Sequence, residues 1–233
     1  MSTARQPAVG MLGLGIMGHA MSVNLLAAGF EVVGFDVAEE PAEALRAAGG
    51  RTAASPRAVA EEADVIISVL PSVKALDDVV LGGDGILAAG RNGRILIEAS
   101  TLPLEDKLRV RDAAAPGLTM LDCPLSGTGA QAAVKDLLVY ASGESAAIAS
   151  CAAVFEGFAR AHHDLGEFGN GTRMKLIANL LVAIHNVAAG EAFVLGMKAG
   201  LDPETIYRVV GDGAGGSRMF SVRGPQMLSL IHI

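Results

Sequence analysis

The sequence predicts an α/β protein, with a doubly wound, mostly parallel sheet in its first part and an incomplete all-helical domain in its last part. Over the first 165 residues, short apolar runs alternate with segments of helical character. The apolar runs are almost continuously hydrophobic, which is typical of parallel strands covered by helices on both faces. After residue 166 this alternation stops and one long segment with helical spacing follows. We therefore predict two domains, 1–165 and 166–233.

The strands and helices of the first domain follow from local signals. Apolar runs predict strands at 8–13, 31–36, 51–53, 65–70, 94–99, 118–122, 136–142 and 161–165. The segments between them predict helices at 16–28, 39–48, 56–63, 103–115 and 144–158. Gly29 stands where a helix commonly ends, Pro56 suits the first turn of a helix, and Pro71 ends the strand before it.

A long helix is predicted to open the second domain. Residues 172–199 contain no proline, and apolar side chains recur there every three or four positions. Such a helix is on the order of 40 Å long. Gly200 ends it, and Asp202 followed by Pro203 predicts the N-terminus of the next helix.

The composition argues against several classes of protein. The 233 residues include 18 Lys and Arg against 25 Asp and Glu, which gives a net charge of −7. That balance argues against a nucleic-acid partner or binding to an anionic membrane through bulk positive charge. Hydrophobic residues make up 51% and charged residues 18%, so a folded core is expected. The two cysteines, Cys123 and Cys151, cannot form a disulfide framework and lack zinc-ligand spacing, so no metal site is predicted.

Residues 6–30 contain no charged residue, a pattern that would also suit a transmembrane helix or a signal peptide. However, the segment holds five glycines together with the polar residues His19, Ser22 and Asn24. The glycines fall where a strand would have to turn sharply into a helix. We therefore predict no membrane partner and a cytoplasmic location.

A glycine-rich motif joins the first predicted strand to the first predicted helix. Gly13, Gly15 and Gly18 form the pattern GxGxxG at this junction. Gly13 allows a tight turn, Gly15 lets a pyrophosphate approach the helix N-terminus, and Gly18 lets the helix pack closely. This order is typical of a Rossmann-type dinucleotide-binding sheet, and the alternative is a glycine-rich turn without a nucleotide. Further cofactor contacts are predicted within the motif at Leu14, Ile16 and Met17.

An acidic residue ends the second predicted strand. Asp36 lies 18 residues beyond Gly18, where a carboxylate accepts hydrogen bonds from an adenosine ribose and repels a 2′-phosphate. The next residues, Val37 and Ala38, provide no arginine for such a phosphate. NAD is therefore the predicted cofactor, and NADP is disfavoured.

The long helix carries a lysine and an asparagine near its start. Lys175 and Asn179 are four residues apart and share one face of the helix. Desolvation on an apolar stretch disfavours an ammonium group, which brings a lysine toward the range where it transfers protons. Gly169 and Gly171 would let a bound molecule approach the helix start. From the helix alone, a solvated lysine beside an asparagine is an equally open interpretation.

A loop of small residues follows the predicted strand that ends at Asp122. Its hydroxyls and glycine-exposed N–H groups, at Ser126, Gly127 and Thr128, suit the binding of a carboxylate. Ligands of open α/β sheets gather at the carboxyl ends of strands, where this loop begins. Taken alone, the loop is equally compatible with an ordinary turn.

Together these segments resemble the β-hydroxyacid dehydrogenase family, which includes 3-hydroxyisobutyrate dehydrogenase, along nearly the whole chain. The family's cofactor signature is similar to GLGIMGHAMSVNLLAAGFEVVGFD, its substrate loop to LDCPLSGTGAQA, and its catalytic helix to GNGTRMKLIANLL. The segments SVLPSVKALDDVV and EASTLPLE resemble family segments on the nicotinamide side of the cleft.

The resemblance implies an oxidoreductase that transfers a hydride between NAD and a small 3-hydroxy acid, such as 3-hydroxyisobutyrate. Lys175 would be its general acid/base. The resemblance assigns substrate binding to Ser126, Gly127, Thr128 and Asn179, and further cofactor contacts to Leu70, Pro71 and Thr101.

Two departures from the family pattern bear on these expectations. The family usually has a glycine where this chain has Thr128, which narrows the substrate pocket. Family members also continue for several helices that close the cleft and often dimerise. We therefore expect a C-terminally truncated chain, which forms a homo-oligomer when full length.

Three alternatives are weighed against this function. The 6-phosphogluconate dehydrogenases usually place a histidine where this chain has Ala178, and the imine reductases typically replace the lysine that stands here at Lys175. A non-catalytic dinucleotide-binding scaffold, or an inactive fragment on the same fold, is the remaining alternative.

Overall fold

The structure is a computed structural model that describes residues 7–229. The chain divides into two compact units, Met1–Lys175 and Leu176–Ile233. The domain boundary between residues 165 and 166 stays a prediction.

The first unit is built on a six-stranded sheet in the order β3-β2-β1-β4-β5-β6. All neighbouring strands are parallel, and Val9 of the first strand pairs with Val32 on one side and Val65 on the other. This order is that of a doubly wound Rossmann-type sheet, so the predicted fold class is confirmed. The strands are β1 Val9–Leu12, β2 Val32–Phe35, β3 Arg51–Thr52, β4 Val65–Ser68, β5 Arg94–Glu98 and β6 Leu118–Asp122.

Helices cover both faces of this sheet, because successive side chains of a strand point to opposite faces. Val9 and Met11 belong to one buried cluster and Leu12 to a second one. The first cluster contains residues of α1 and α2, and the second contains residues of α3, α4 and α5. These helices are α1 Ile16–Ala27, α2 Glu39–Ala47, α3 Pro56–Glu62, α4 Val73–Leu81 and α5 Leu104–Ala114, with a short 3-10 helix at Ile86–Ala89.

A second, three-stranded sheet completes the first unit. Its order is β7-β8-β9, with β7 antiparallel and β9 parallel to β8. The strands are β7 Leu125–Ser126, β8 Leu138–Ala141 and β9 Ala161–Asp164, and the accompanying helices are α6 Gly129–Ala133, α7 Ser145–Ser150 and α8 Ala152–Phe158.

The structure differs from the sequence prediction in several elements, and β7, α6, the 3-10 helix and a helix at Arg218–Leu228 were not predicted. Strands expected at 136–142 and 161–165 belong to the separate sheet and are shorter. The helix expected at 144–158 is broken at Cys151, where φ is −89° and ψ is 0°. Helix α4 was not predicted, although Ser72 marks its start by accepting the N–H of Ala75.

Three helices, α9 Asn170–Lys198, α10 Pro203–Asp212 and α11 Arg218–Leu228, account for the rest of the described chain. The predicted long helix is therefore present as α9. The second unit has a small core in which Phe193, Ile206 and Phe220 are buried. The rings of Phe193 and Phe220 stack with their centroids 5.4 Å apart.

Helix α9 also has the length and composition of a membrane-crossing helix. Its most apolar window of 18 residues has a mean hydropathy of 1.6, and 11% of that window is buried. Core helices of soluble proteins pass the same test, so this observation alone is weak evidence for a membrane segment.

Candidate active site

The chain turns sharply between β1 and α1. Gly13 has a φ of +89°, and a Cβ there would lie 2.2 Å from the carbonyl oxygen of Val69. Only glycine fits this position without strain. A Cβ at Gly18 would lie 1.9 Å from the carbonyl oxygen of Gly13. A side chain at this position would therefore clash with the backbone of the glycine turn. At Gly15, by contrast, no atom lies within 4 Å of where a Cβ would be.

The N-terminus of α1 is open to a ligand. Gly15 is the N-cap, and its carbonyl accepts the first intrahelical hydrogen bond from His19. Among residues 7–229, no side chain caps this helix, and no acidic residue lies in its first turn. The first N–H groups and the positive end of the helix dipole therefore suit an anionic group.

Backbone hydrogen bonds hold the carboxylate of Asp36 beside this turn. Its Oδ2 accepts the N–H of Leu14 at 2.7 Å, and its Oδ1 accepts the N–H of Ala38 at 3.0 Å. The side chain of Leu14 is buried in the core, so only the backbone of this residue is available at the turn, where its N–H donates to the Asp36 carboxylate. Each carboxylate oxygen has a second lone pair that can still accept a hydroxyl.

A cleft of about 780 Å³ opens over the glycine turn. Three acidic residues, Asp36, Asp78 and Asp84, contribute to its lining, and within the described chain neither a lysine nor an arginine does. Thr101 is exposed and does not line it. Of the residues predicted to contact a cofactor, the cleft brings together Gly13, Gly15, Ile16, Met17, Gly18, Asp36, Leu70 and Pro71.

Sequence reasoning missed part of this cleft. Ala75, Asp78 and Val79 line it from α4, which was not predicted as a helix. The signal that could have found them is the Ser72 cap, followed by apolar residues at helical spacing.

The loop that contains Ser126 lies beside the glycine turn. A Cβ at Gly129 would be 2.5 Å from the side chain of Ile16, which lines the cleft. Ser126 is half-buried, whereas Gly127, with a φ of +144°, and Thr128 are exposed.

Thr128 forms the N-terminal cap of helix α6. Its hydroxyl accepts the N–H of Gln131 at 3.4 Å, and the Gln131 side chain accepts the N–H of Thr128 at 3.1 Å. This capping box starts α6 and explains why a threonine suits this position.

Lys175 is half-buried in the second turn of α9. Burial lowers the pKa of its ammonium below the usual value of 10.5. Lys175 is not among the residues that line the cleft. Asn179 lies four residues further along α9 and is exposed.

The two glycines before this helix have a different role from the one the sequence suggests. A Cβ at Gly171 would lie 2.3 Å from the carbonyl oxygen of Tyr140 and 2.6 Å from that of Asp122. A Cβ at Gly169 would lie 2.7 Å from the side chain of Leu104. These glycines therefore make room for the protein's own chain, and not for a bound molecule.

A buried cluster of charged side chains was not predicted at all. Lys107, Glu98 and Asp122 have side chains with 0% exposure. The ammonium of Lys107 lies 2.6 Å from Glu98 Oε2 and 2.8 Å from Asp122 Oδ1. A possible signal in the sequence was that both acids end apolar strands, because charged residues are rarely fully buried unless they are paired.

Burial and pairing act against each other in this cluster. Burial raises the pKa of Glu98 above its usual value, although Lys107 opposes the shift. Burial works to lower the pKa of Lys107, but the carboxylates of Glu98 and Asp122 outweigh it and raise this pKa. Lys107 therefore keeps its proton in the core.

A glycine turn into an open helix N-terminus, an acid after the second strand and a doubly wound sheet are together typical of a dinucleotide-binding domain. Residues 8–169 match the family model of the NAD binding domain of 6-phosphogluconate dehydrogenase. Residues 169–230 match the model for NAD-binding of NADP-dependent 3-hydroxyisobutyrate dehydrogenase. The chain belongs to the β-hydroxyacid dehydrogenase family, NAD(P)-dependent enzymes that act on CH–OH groups.

Characterised relatives share about a third of the residues. The chain is 35% identical over 223 residues to L-threonate dehydrogenase of Cupriavidus necator, covering 94% of this chain and 75% of the relative. It is 35% identical over 218 residues to 3-hydroxyisobutyrate dehydrogenase of Pseudomonas aeruginosa, covering 93% and 73%.

A solved structure shows the same fold. The 3-hydroxyisobutyrate dehydrogenase of Mycobacterium tuberculosis, solved with L-serine, superposes with a TM-score of 0.85 at 31% identity. The match covers 94% of this chain and 75% of that one.

Proposed function

We propose that this protein is an NAD-dependent dehydrogenase of small 3-hydroxy acids similar to 3-hydroxyisobutyrate, with Lys175 as its general acid/base. The observation that carries this proposal is the half-buried Lys175, whose pKa is lowered by desolvation, one turn after the start of α9. The family's catalytic helix has its lysine at this position of the matching segment.

The cofactor would be held by the cleft over the glycine turn. The open N-terminus of α1 would bind the pyrophosphate, and Asp36 would accept a ribose hydroxyl. Leu14, Ile16, Met17, Leu70, Pro71 and Thr101 are proposed as the remaining contacts. When bound, NAD supplies a hydride acceptor for the carbon that carries the substrate hydroxyl.

Lys175 moves the proton in this proposal. In oxidation, its neutral amine takes the proton from the substrate hydroxyl, and in reduction its ammonium returns a proton to the carbonyl oxygen. The lowered pKa supports this role, because it increases the fraction of neutral amine near neutral pH. A correctly placed proton donor or acceptor typically contributes about 10²–10⁴-fold to the rate.

The substrate carboxylate would bind at the loop beside the glycine turn. The Thr128 hydroxyl is engaged by the α6 cap, so Ser126 Oγ and the loop N–H groups, including that of Gly127, are the proposed donors. Asn179 would hold the substrate. Serine and 3-hydroxyisobutyrate, named for relatives, both combine a carboxylate with a hydroxyl on carbon 3.

The acidic lining of the cleft supports NAD over NADP. A 2′-phosphate would meet Asp36, with Asp78 and Asp84 in the same lining. These carboxylates would repel the additional charge of NADP.

An absorbance assay tests the proposed function. The full chain is incubated with NAD or NADP and a panel of 2-hydroxy and 3-hydroxy acids, and NADH formation is followed at high pH. We expect turnover of at least one 3-hydroxy acid, with NAD preferred to NADP. Turnover of 2-hydroxy acids alone would contradict the proposed substrate class.

A non-catalytic dinucleotide-binding protein on the same fold is the second candidate. The observation that favours it is that about a quarter of the length of the closely matching relatives has no counterpart in this chain. Binding of NAD without turnover of any hydroxy acid in the panel would support this candidate. We also propose a cytoplasmic location, a homo-oligomeric state, and no nucleic-acid or membrane partner.

A further inference from the structure

We propose that a buried group of side chains, Lys107, Asp122, Ser142 and Thr172, positions the start of α9 so that Lys175 is placed for proton transfer. These four residues are called the anchor below. Lys175 would touch the substrate, whereas the anchor residues would act through it. This inference rests on the proposed role of Lys175.

Helix α9 has no cap of its own. Its N-cap position is Gly169, which has no side chain and whose carbonyl accepts the first intrahelical bond from Arg173 at 3.0 Å. The N–H groups of the first turn therefore need partners from elsewhere. The N–H of Asn170 donates locally to the carbonyl of Glu167 at 3.1 Å, and the anchor supplies acceptors for the N–H groups of Gly171 and Thr172 from two distant parts of the chain.

Ser142 and Asp122 accept the hydrogen bonds of this first turn. Ser142 Oγ accepts the N–H groups of Gly169 at 3.2 Å and Gly171 at 2.9 Å. Asp122 Oδ2 accepts the N–H of Thr172 at 2.7 Å, and its Oδ1 accepts the Thr172 hydroxyl at 2.8 Å. All these groups are buried, so water cannot easily replace a lost partner.

The first turn of α9 also packs closely against the backbone of β8 and β6. The absent side chain of Gly171 leaves room for the carbonyl oxygens of Tyr140 in β8 and of Asp122, the last residue of β6. Ser142 Oγ donates to the carbonyl of Asp122 at 3.0 Å. A shift of the first turn would therefore break contacts with both sheets.

The ammonium of Lys107 compensates the charge of the buried Asp122 carboxylate. Its ammonium donates to Asp122 Oδ1 at 2.8 Å and to the carbonyl of Ser100 at 2.7 Å, and it forms an ion pair with Glu98 Oε2 at 2.6 Å. Without this partner, two carboxylates would be left uncompensated in the core.

The same contacts lead to the wall of the cofactor cleft. Ser100 Oγ accepts the N–H of Leu70 at 2.8 Å, and Leu70 lines the cleft. The anchor therefore joins the segment after β4 to the start of α9 through the ends of β5 and β6. Lys175 lies three residues beyond Thr172, about 4.5 Å further along the helix axis. A misplacement of about 1 Å can cost on the order of 10²-fold in rate.

The test uses a pair of substitutions at Thr172 and a matched control. Thr172→Val removes the hydroxyl that donates to Asp122 while it keeps the side-chain shape, and Thr172→Ser restores the hydroxyl. Thr205→Val is the control, because Thr205 donates its N–H and its hydroxyl to Asp202, at 2.9 Å each, at the start of α10.

Three measurements are made on each variant of the full chain. Amide hydrogen exchange follows residues 169–175, and NMR of ¹³C-methylated lysines gives the titration midpoint of Lys175, one of only five lysines. Steady-state kinetics gives kcat and KM for the hydroxy acid, and fluorescence gives the affinity for NAD.

We expect Thr172→Val to speed exchange at 169–175 by about tenfold or more, and to raise the Lys175 midpoint toward that of exposed lysines. Its kcat should fall about tenfold, with KM and NAD affinity within about twofold of wild type. Thr172→Ser should restore at least half of the lost kcat, and Thr205→Val should change none of these quantities.

The anchor is overturned if Thr172→Val leaves exchange and kcat unchanged, or if Thr172→Ser loses as much kcat as Thr172→Val. A different pattern identifies failure of the proposed function. If wild type oxidises no hydroxy acid, but Thr172→Val still speeds exchange and raises the Lys175 midpoint, the anchor holds Lys175 and the proposed reaction is wrong.

Discussion

The starts of α9 and α10 use the same pair of residue types in different surroundings. In each, a threonine donates its N–H and its hydroxyl to an aspartate, Thr172 to Asp122 and Thr205 to Asp202. At α10 the aspartate is the N-cap itself, three residues earlier, and is exposed. At α9 it lies 50 residues earlier and is completely buried.

This difference shows how a helix can be tied to the rest of a fold. A local cap such as Asp202 stabilises its own helix but does not fix where that helix lies. A cap supplied by the ends of strands fixes the helix start relative to those strands, and it needs a buried counter-charge, here Lys107. The helix that carries the proposed general acid/base has the second kind of cap.

The largest effect expected at α9 is on catalysis. Lys175→Ala should lower kcat about 10²–10⁴-fold, because no other group would take the substrate proton. NAD affinity, measured by fluorescence, should stay within about twofold of wild type. Lys198→Ala, at the other end of the same helix, is the control and should leave kcat unchanged. Equal loss of turnover and of NAD affinity in Lys175→Ala would indicate a structural lysine.

The next largest effect is expected on stability, and it tests whether Asp122, the buried cap of α9, depends on the charge of Lys107. Lys107→Met should lower the free energy of unfolding by about 3–5 kcal/mol, because it leaves the Glu98 and Asp122 carboxylates unpaired in the core. Urea unfolding measures this change. The control is Lys74→Met, which removes an exposed ion pair with Asp78 and should cost at most about 1 kcal/mol. Similar losses in both variants would show that the buried counter-charge Lys107 contributes no more stability than an exposed ion pair.

The stability of the Lys107→Met variant should also depend on pH. Burial raises the pKa of Glu98 in the wild type and Lys107 opposes that rise, so removing Lys107 should raise this pKa further. A raised carboxyl pKa gives stability that is present below the usual value of 4.5 and is lost as pH rises through the folded value. Because the folded-state pKa of Glu98 should be higher in Lys107→Met than in wild type, the stability difference between the two should grow as pH rises through the wild-type folded value and level off above the variant's. A difference that does not change with pH would contradict this assignment.

The smallest effect is expected at the local cap. Asp202→Ala should destabilise α10 by about 1 kcal/mol, since the N–H and the hydroxyl of Thr205 lose their acceptor. Hydrogen exchange of the α10 amides measures this change. Exchange at 169–175 and NAD affinity should not respond, and a response at either would show that the two helix starts are coupled.

These two starts also show what a sequence can predict. Asp202 and Pro203 predict the start of α10 because the cap lies beside the helix in the chain. The glycine turn and Asp36 are equally local, since one strand, one turn and one strand place them. The parallel sheet follows from the alternating apolar runs, and the structure confirms it.

The anchor could not be predicted for a physical reason. Lys107 stands in a highly charged segment, LEDKLRVRD, which has the composition of an exposed helix. Its burial follows from contacts with Glu98 and Asp122 on two other elements, and no local pattern encodes such contacts. Gly171 was similarly misinterpreted, because the carbonyl groups that need its space lie 31 and 49 residues earlier in the chain.

The pH dependence of hydroxy-acid oxidation tests the role of Lys175 most directly. Oxidation needs the neutral amine, so kcat/KM of wild type should rise with pH to a plateau, with a midpoint below the 10.5 of an ordinary lysine because burial lowers this pKa. The reverse reaction needs the ammonium and should fall through the same midpoint. Lys175→Ala should be slow and should lack this rise. A Lys175→Ala variant that keeps the wild-type rate and pH profile would contradict the assignment.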